Sequence, residues 1–403
     1  MNPQIKNNIP QGYKATPLGI IPKEWEVKKL GNIAQCFSGG TPNAGNNAYY
    51  GGNIPFIRSG EIHQKDTTLF LSELGLKESS AKMVQKGDLL MALYGANSGD
   101  PSVSQIDGAI NQAILCIRPR NVSVYFLCHF LELNKDMYIA KYLQGGQGNL
   151  SGEIVLNYKI PIPPLPEQQK IAEIISTWDK AIEKQSQLIE KLELRKKGLM
   201  QQLLTGKQRL PGFSDPWKVY KLGELFQERN EKNRTDLPLL SISGDHGVIL
   251  QTESNKRDTS NEDKSKYKRI NKGDIGYNTM RMWQGRSALS DLEGIVSPAY
   301  TIVTPNKGVD GYYMSNLFKQ PRLMYDFWTH SQGLVEDTLN CKYRDFGKVR
   351  INCPSYIEQK AISKIITATD HEIELAKQKL ELFRQQKHGL MQQLLTGKKR
   401  VKL

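Results

Sequence analysis

The stretch PIPPLPEQQKIAEIISTWDKAIEKQSQLIEKLELRKKGLMQQLLTGKQRL, Pro161 to Leu210, decides the architecture because it occurs twice. Shifted by 191 residues it falls without a gap on NCPSYIEQKAISKIITATDHEIELAKQKLELFRQQKHGLMQQLLTGKKRV, Asn352 to Val401. About 23 of the 50 positions are identical, and the run Gly198–Lys207 recurs letter for letter as Gly389–Lys398. A match of that quality within one chain is a duplicated structural module.

Each copy reads as one long helix. In the first, Ile171, Ile175, Trp178, Ile182, Ile189, Leu192, Leu199 and Leu203 recur at alternating steps of four and three, with polar Gln185 and Lys196 in two of the seam positions. In the second, Ile362, Ile366, Ile373, Leu380, Phe383, Leu390 and Leu394 keep the register, with Thr369, Ala376 and Lys387 between them. That spacing is the apolar seam of a coiled coil. The proline cluster Pro161–Pro166 stops a strand and opens a helix, and Ser355 with Glu358 has the spacing of a capping box. Gly206 and Gly397 stand where a helix stop belongs. Roughly 38 residues per helix predicts a length of about 57 Å. Duplicated helices that pack on each other about a local twofold axis run antiparallel.

Outside the helices the repeat fades to an outline. Trp25 opens WEVKKLGNI and Trp217 opens WKVYKLGEL; KGDLL at Lys86 answers KGDIG at Lys272. GAINQAILCIRP at Gly108 answers GIVSPAYTIVTP at Gly294. The chain therefore divides into a variable segment 1–160, helix segment 161–210, variable segment 211–351 and helix segment 352–403. The variable segments mix short strands (Asp88–Tyr94, Ala113–Arg118, Tyr300–Thr304, Lys348–Asn352) with helical stretches (Val124–Leu143, Gly311–Trp328). The predicted class is α+β, an internal pseudo-twofold repeat with the variable domains separated by a long antiparallel two-helix coiled coil.

The 403 residues carry a net charge of +14, spread along the chain, with mean hydropathy −0.51. Such a basic surplus points to an anionic partner, and nucleic acid fits a charge spread over several faces. No window approaches the roughly 18 apolar residues of a membrane span, and MNPQIKNNIPQGYK lacks the apolar centre of a signal peptide. The five cysteines, Cys36, Cys116, Cys128, Cys341 and Cys353, are odd in number and never form C-x-x-C, which argues against a disulfide framework or zinc site and for a reducing cytoplasm. His129 beside Cys128 reads as a structural residue. No dinucleotide or phosphate-loop motif, amino-methyltransferase signature or convincing nuclease carboxylate cluster is present; Glu61 with His63 and Lys65 is the nearest grouping and reads as a surface loop.

Polar, glycine-bearing loops are the candidates for contact with DNA. In the first variable segment they offer Arg58, Ser59, Tyr94, Asn97, Ser98, Gln144, Gln147 and Asn149; in the second, Lys256, Arg257, Asn278, Arg281, Gln284, Arg286, His330 and Gln332. Arginine pairs with guanine and asparagine or glutamine with adenine in the major groove, while lysine and serine hold phosphates. Identity at the polar positions Gln201, Gln202 and Lys207, matched by Gln392, Gln393 and Lys398, exceeds what an apolar seam requires and marks a repeated partner surface.

Two variable domains alternating with two helices that begin near P-x-x-E-Q and end in GLMQQLLTGK resemble the specificity subunit of type I restriction–modification enzymes, over essentially the whole chain. The resemblance implies that each variable segment is a target recognition domain reading one half of a split site in double-stranded DNA. It implies that the helices are the spacer and bind two modification subunits that methylate adenine with S-adenosylmethionine. Restriction subunits would add translocation and cleavage driven by ATP with Mg. By the resemblance the chain binds no cofactor and catalyses nothing itself. A stand-alone two-domain DNA-binding regulator, an uncharacterised DNA enzyme and a scaffold without DNA remain as alternatives from the residues; the charge weighs against the last.

Overall fold

A computed structural model describes residues 9–142, 149–243, 247–254, 260–335 and 338–403. The chain forms two compact units, one from residues 1–186 and 378–403, the other from residues 187–377. The sequence segments divide the chain differently, because each unit takes one half of each repeated helix together with one variable segment.

In the first unit a four-stranded antiparallel sheet runs in the order Ala34–Ser38, Ile114–Pro119, Leu89–Ala92, Pro101–Val103. Its central strands are apolar on both faces. Leu89, Met91, Leu115 and Ile117 point at Phe126, Leu127, Phe130 and Leu131 of helix α1 (Val124–Tyr142) and at Ile171 and Ile175 of helix α2 (Leu165–Leu203). Leu90, Ala92, Ile114 and Cys116 point the other way, onto Ile57 and Ile110. The period of two along each strand thus feeds two cores. Ile57 and Ile110 belong to a second sheet, in which Gly108–Ile110 lies parallel to Tyr50–Ile57.

The second unit repeats the four-stranded order: Phe226–Glu228, Tyr300–Pro305, Ile275–Asn278, Ser287–Leu289. The KGD echo has a structural reason. Asp88 accepts two hydrogen bonds from Arg118, at 2.9 and 2.7 Å. Asp274 accepts from Arg229 Nε at 2.7 Å and from the Thr304 hydroxyl at 2.6 Å. Asp88 anchors the start of its strand to the neighbouring strand, while Asp274 reaches its neighbour through Thr304 and the strand beyond it through Arg229, each with charge-assisted bonds.

The expected helix Gly311–Trp328 is two helices, α3 (Gly311–Leu317) and α4 (Pro321–His330). Pro321 cannot donate an amide within a helix, so the first helix ends and the second starts with proline in its first turn. The second repeated helix is α5 (Tyr356–Leu394). Both repeated helices have 39 residues, close to the length read from the seam. Gly206 and Gly397 follow their ends at φ +70° and +71°, the left-handed stop that glycine supplies. The capping box at Ser355 is only half formed. The Glu358 amide donates to Ser355 Oγ at 3.4 Å, but the Glu358 carboxylate is bound by Arg209 instead of returning to the cap.

Within each unit the helix halves pack antiparallel. In the first, the Trp178 ring meets Phe383 edge-on at 5.6 Å, and seam residue Lys387 pairs with Asp179 at 2.8 Å and Glu132 at 2.7 Å. In the second, Lys196 pairs with Asp370 at 2.5 Å and Lys377 with Glu193 at 2.7 Å. The lysines that interrupt both seams are equivalent under the 191-residue shift, and so are the aspartates that neutralise them.

Candidate nucleic-acid interface

The repeated helix ends build a frame that carries the loops. Glu167, 1% exposed, accepts from Arg400 at 2.5 and 2.9 Å and from the Trp25 indole at 3.0 Å. Glu358, 2% exposed, accepts from Arg209 at 2.7 and 2.8 Å. The adjacent glutamines do matching work. Gln168 accepts from the Ser123 amide and donates to Pro163 O; Gln359 accepts from the Asp310 amide and donates to Pro354 O. Each E-Q pair therefore fastens a helix start both to the other helix's tail and to the amide at the start of a helix in a variable segment. Trp25 lies over Gly397 and Trp217 over Gly206. The Trp217 indole nitrogen has no hydrogen-bond partner, and Arg209 stacks over its ring at 5.6 Å. These residues were legible as repeated letters, but the ion pairs they form were not foreseen.

In the first unit three of the candidate loops converge. His63 Nε2 lies 2.7 Å from Asp100, tying the loop of Arg58 and Ser59 to the loop of Tyr94 and Asn97. The Leu150 amide donates to Leu93 O at 2.8 Å, which brings Asn149 beside them. Tyr94, Asn97 and Asn149 are exposed and Ser59 is half-buried. Arg58 is committed to an internal pair. It donates to Glu61 at 3.1 and 2.6 Å and to Thr68 at 2.7 Å. That hydrogen bond is the chief reason the Glu61 carboxyl is held down to about 2, with Thr67 and the Arg58 amide helping against burial. Ser98 is 4% exposed and donates to Leu93 O at 2.8 Å, so its hydroxyl shapes the loop from inside. Asp100 is also held low: burial pushes it up, but His63 and Lys135 outweigh that. Gln144 and Gln147 lie outside the described residues.

In the second unit the loop from Asn278 to Arg286 folds around a single turn, Met282–Gln284, closed by Gly285 at φ +70°. Asn278 Oδ1 accepts from the Met280 amide at 3.0 Å, and Met282 is buried as the loop's anchor. Arg286 is exposed, and Asn278, Arg281 and Gln284 are half-buried. Gln332 and Asn340 exchange backbone hydrogen bonds of 3.0 and 2.8 Å, and the Cys341 amide donates to Thr279 O. Those links seat exposed Gln332 and half-buried His330 beside the loop; His330 Nδ1 lies 2.8 Å from Asp326 O. Met324 of α4 sits over Gly285. Lys256 and Arg257 lie outside the described residues. Sequence reading missed Tyr325 and Trp328 of α4, which are exposed and stacked with ring centroids 5.7 Å apart. Their spacing of three on a helix whose buried face is Leu323 and Phe327 was the available signal.

The six repeated polar residues Gln201, Gln202, Lys207, Gln392, Gln393 and Lys398 are all exposed. Among the described residues no group of His, Cys, Asp and Glu could hold a metal ion, and no helix is long and apolar enough to cross a membrane.

This arrangement recurs in known proteins. The model of the type I restriction modification DNA specificity domain matches residues 22–194 and again 214–383. The putative type I restriction enzyme MjaX specificity subunit of Methanocaldococcus jannaschii is 27% identical, with 97% of each chain covered. The MjaVIII specificity subunit of the same organism is 24% identical, covering 95% of this chain and 94% of that one. Two solved structures share the fold. The S subunit of the type I restriction-modification system of M. genitalium aligns with TM-score 0.56 at 12% identity, covering 94% of this chain and 96% of that one. A chain from a study of complex assembly and conformational transition of the type I R-M system aligns with TM-score 0.60 at 15% identity, covering 94% and 99%. Matched twice and over most of its length, with each match containing one recognition sheet, the chain belongs to the type I restriction–modification DNA specificity family and carries its domain in two copies.

Proposed function

We propose that this chain is the DNA-reading subunit of a type I restriction–modification complex, with each unit recognising one half of a bipartite, asymmetric site. The observation that carries the reading is the contrast between frame and loops. The pairs Arg400–Glu167 and Arg209–Glu358 are equivalent under the repeat, while the loop of Tyr94 and Asn97 carries no arginine and the loop of Asn278 and Gln284 carries two, Arg281 and Arg286. A duplicated frame suits two copies of one partner, and different loops suit two different half-sites.

The partners are two modification subunits docked on the exposed residues Gln201, Gln202 and Lys207 and on Gln392, Gln393 and Lys398, with restriction subunits joining them. S-adenosylmethionine, ATP and Mg belong to those partners, and the complex works in the cytoplasm. Tyr94, Asn97, Asn149, Arg281, Gln284, Arg286 and Gln332 are the residues best placed to face DNA; Arg58 and Ser98 act by holding loops in shape.

Co-expression with a modification subunit of the same system tests the reading. A complex of two modification subunits and one copy of this chain should methylate adenine in a split sequence. Sequence-specific binding by the chain alone, with no such partner in the complex, would favour a stand-alone regulator.

A further inference from the structure

Two clefts lie on the helix frame, one in each unit. The first, about 780 Å³, is floored by Asp179, Ile182, Lys387, Met391 and Gln392. The second, about 620 Å³, is floored by Asp370, Ile373, Lys196, Met200 and Gln201. These are the same five positions under the 191-residue shift, with the same five residue types. The floors are therefore two copies of one surface, an Ile–Met pair edged by an ion pair and a glutamine amide, while at the rims Arg384 and His388 of the first cleft stand where Glu193 and Lys197 stand in the second.

Their walls differ. The first cleft is walled by Glu132 and Leu133 of α1. The second is walled by Lys319, Gln320 and Pro321, and Pro321 opens α4. One turn beyond Pro321 on the same side stands Tyr325, 56% exposed, followed by Trp328, 43% exposed. At the corresponding turns beyond Leu133, α1 carries Asp136, Met137 and Ala140. The helix that walls the second cleft thus continues as a stacked aromatic pair, where α1 of the first unit offers at those turns only Met137 as an exposed large apolar side chain. Exposed tyrosine and tryptophan beside a pocket are the side chains that dominate protein–protein contacts.

We infer that each cleft takes the same segment of one modification subunit, and that the copy on the second unit is held more tightly because its contact continues onto Tyr325 and Trp328. This rests on the reading that two modification subunits bind the chain. Assembly then proceeds in order, through an intermediate whose single modification subunit sits on the unit of residues 187–377.

The test is titration of the full chain with its cognate modification subunit, followed by native mass spectrometry and calorimetry. Wild type should bind two copies in steps separated by about tenfold or more. Tyr325→Ala with Trp328→Ala, both exposed and so compatible with the fold, should weaken the tighter step by about tenfold or more and leave the other unchanged. Gln392→Ala should weaken only the looser step. A wild type that binds no modification subunit would sink the underlying functional reading. Two copies bound with one affinity, or an aromatic double variant with both steps intact, would overturn the inference alone. Loss of binding to a randomised duplex pool by the assembled double variant, with both steps intact, would assign the aromatic pair to DNA and overturn the inference as well.

Discussion

Arg400 grips Glu167 with two hydrogen bonds of 2.5 and 2.9 Å across 233 residues of sequence, fixing the tail of α5 against the start of α2. The carboxylate is 1% exposed and also receives the Trp25 indole. A buried carboxylate left without its cation is costly. Arg400→Ala should therefore destabilise the first unit by about 2–3 kcal/mol, at the low end because the guanidinium is partly exposed. Chemical denaturation checks this. A double-mutant cycle with Glu167→Gln should recover at least half of the loss, and strictly additive effects would show that the pair is not coupled.

The two glycine stops should differ in tolerance. Both need φ near +70°, so alanine at either should cost about 1–2 kcal/mol of backbone strain. At Gly206 the added Cβ would lie 3.2 Å from the Trp217 ring, whereas at Gly397 it would lie 2.4 Å from Cδ of Pro22. Gly397→Ala should thus lose a further 1–3 kcal/mol or so to overpacking. Thermal melts of the two variants decide the order; equal losses would contradict the packing at Pro22.

The Arg58–Glu61 pair makes a pH signature. Because the folded carboxyl is depressed from 4.5 to about 2, its contribution is complete above pH 4.5 and is lost as pH falls toward 2. Between pH 5 and 3 the wild type should lose stability more steeply than Glu61→Gln. Parallel slopes in thermal midpoint against pH would show that Arg58 leaves Glu61 in solution, free to meet DNA itself.

Much of this was legible in the sequence because the helix signal is periodic and repeated. The seam of Ile171, Ile175 and Leu203 and the stops at Gly206 and Gly397 sit where the pattern put them. What escaped was tertiary. Nothing near Lys196 or Lys387 announces that Asp370 and Asp179 will meet them, so polar seam positions read as interruptions. Ser98 looked like a surface residue because burial of a loop hydroxyl depends on the carbonyl of Leu93 turning inward. Arg58 with Glu61 three residues on, and Pro321 inside a helical run, were local signals that reading the loops and helices by composition passed over.

Catalysis should be absent from the pure chain. Incubation with duplex DNA, magnesium and S-adenosylmethionine should leave the DNA unmodified and uncut, as measured by tritium transfer and gel mobility. Turnover that survives stringent purification and tracks with this chain would contradict the assignment of chemistry to partners.

The most direct measurement is the methylated-adenine map of a genome served by a complex in which residues 211–351 have been exchanged for those of a relative. The map should keep one half of the site unchanged and replace the other. Inserting seven residues into α2 should alter only the number of unread base pairs between the halves. A swap that changes both halves, or a helix insertion that changes the bases read while the spacing stays constant, would contradict two independent readers on a shared helical frame.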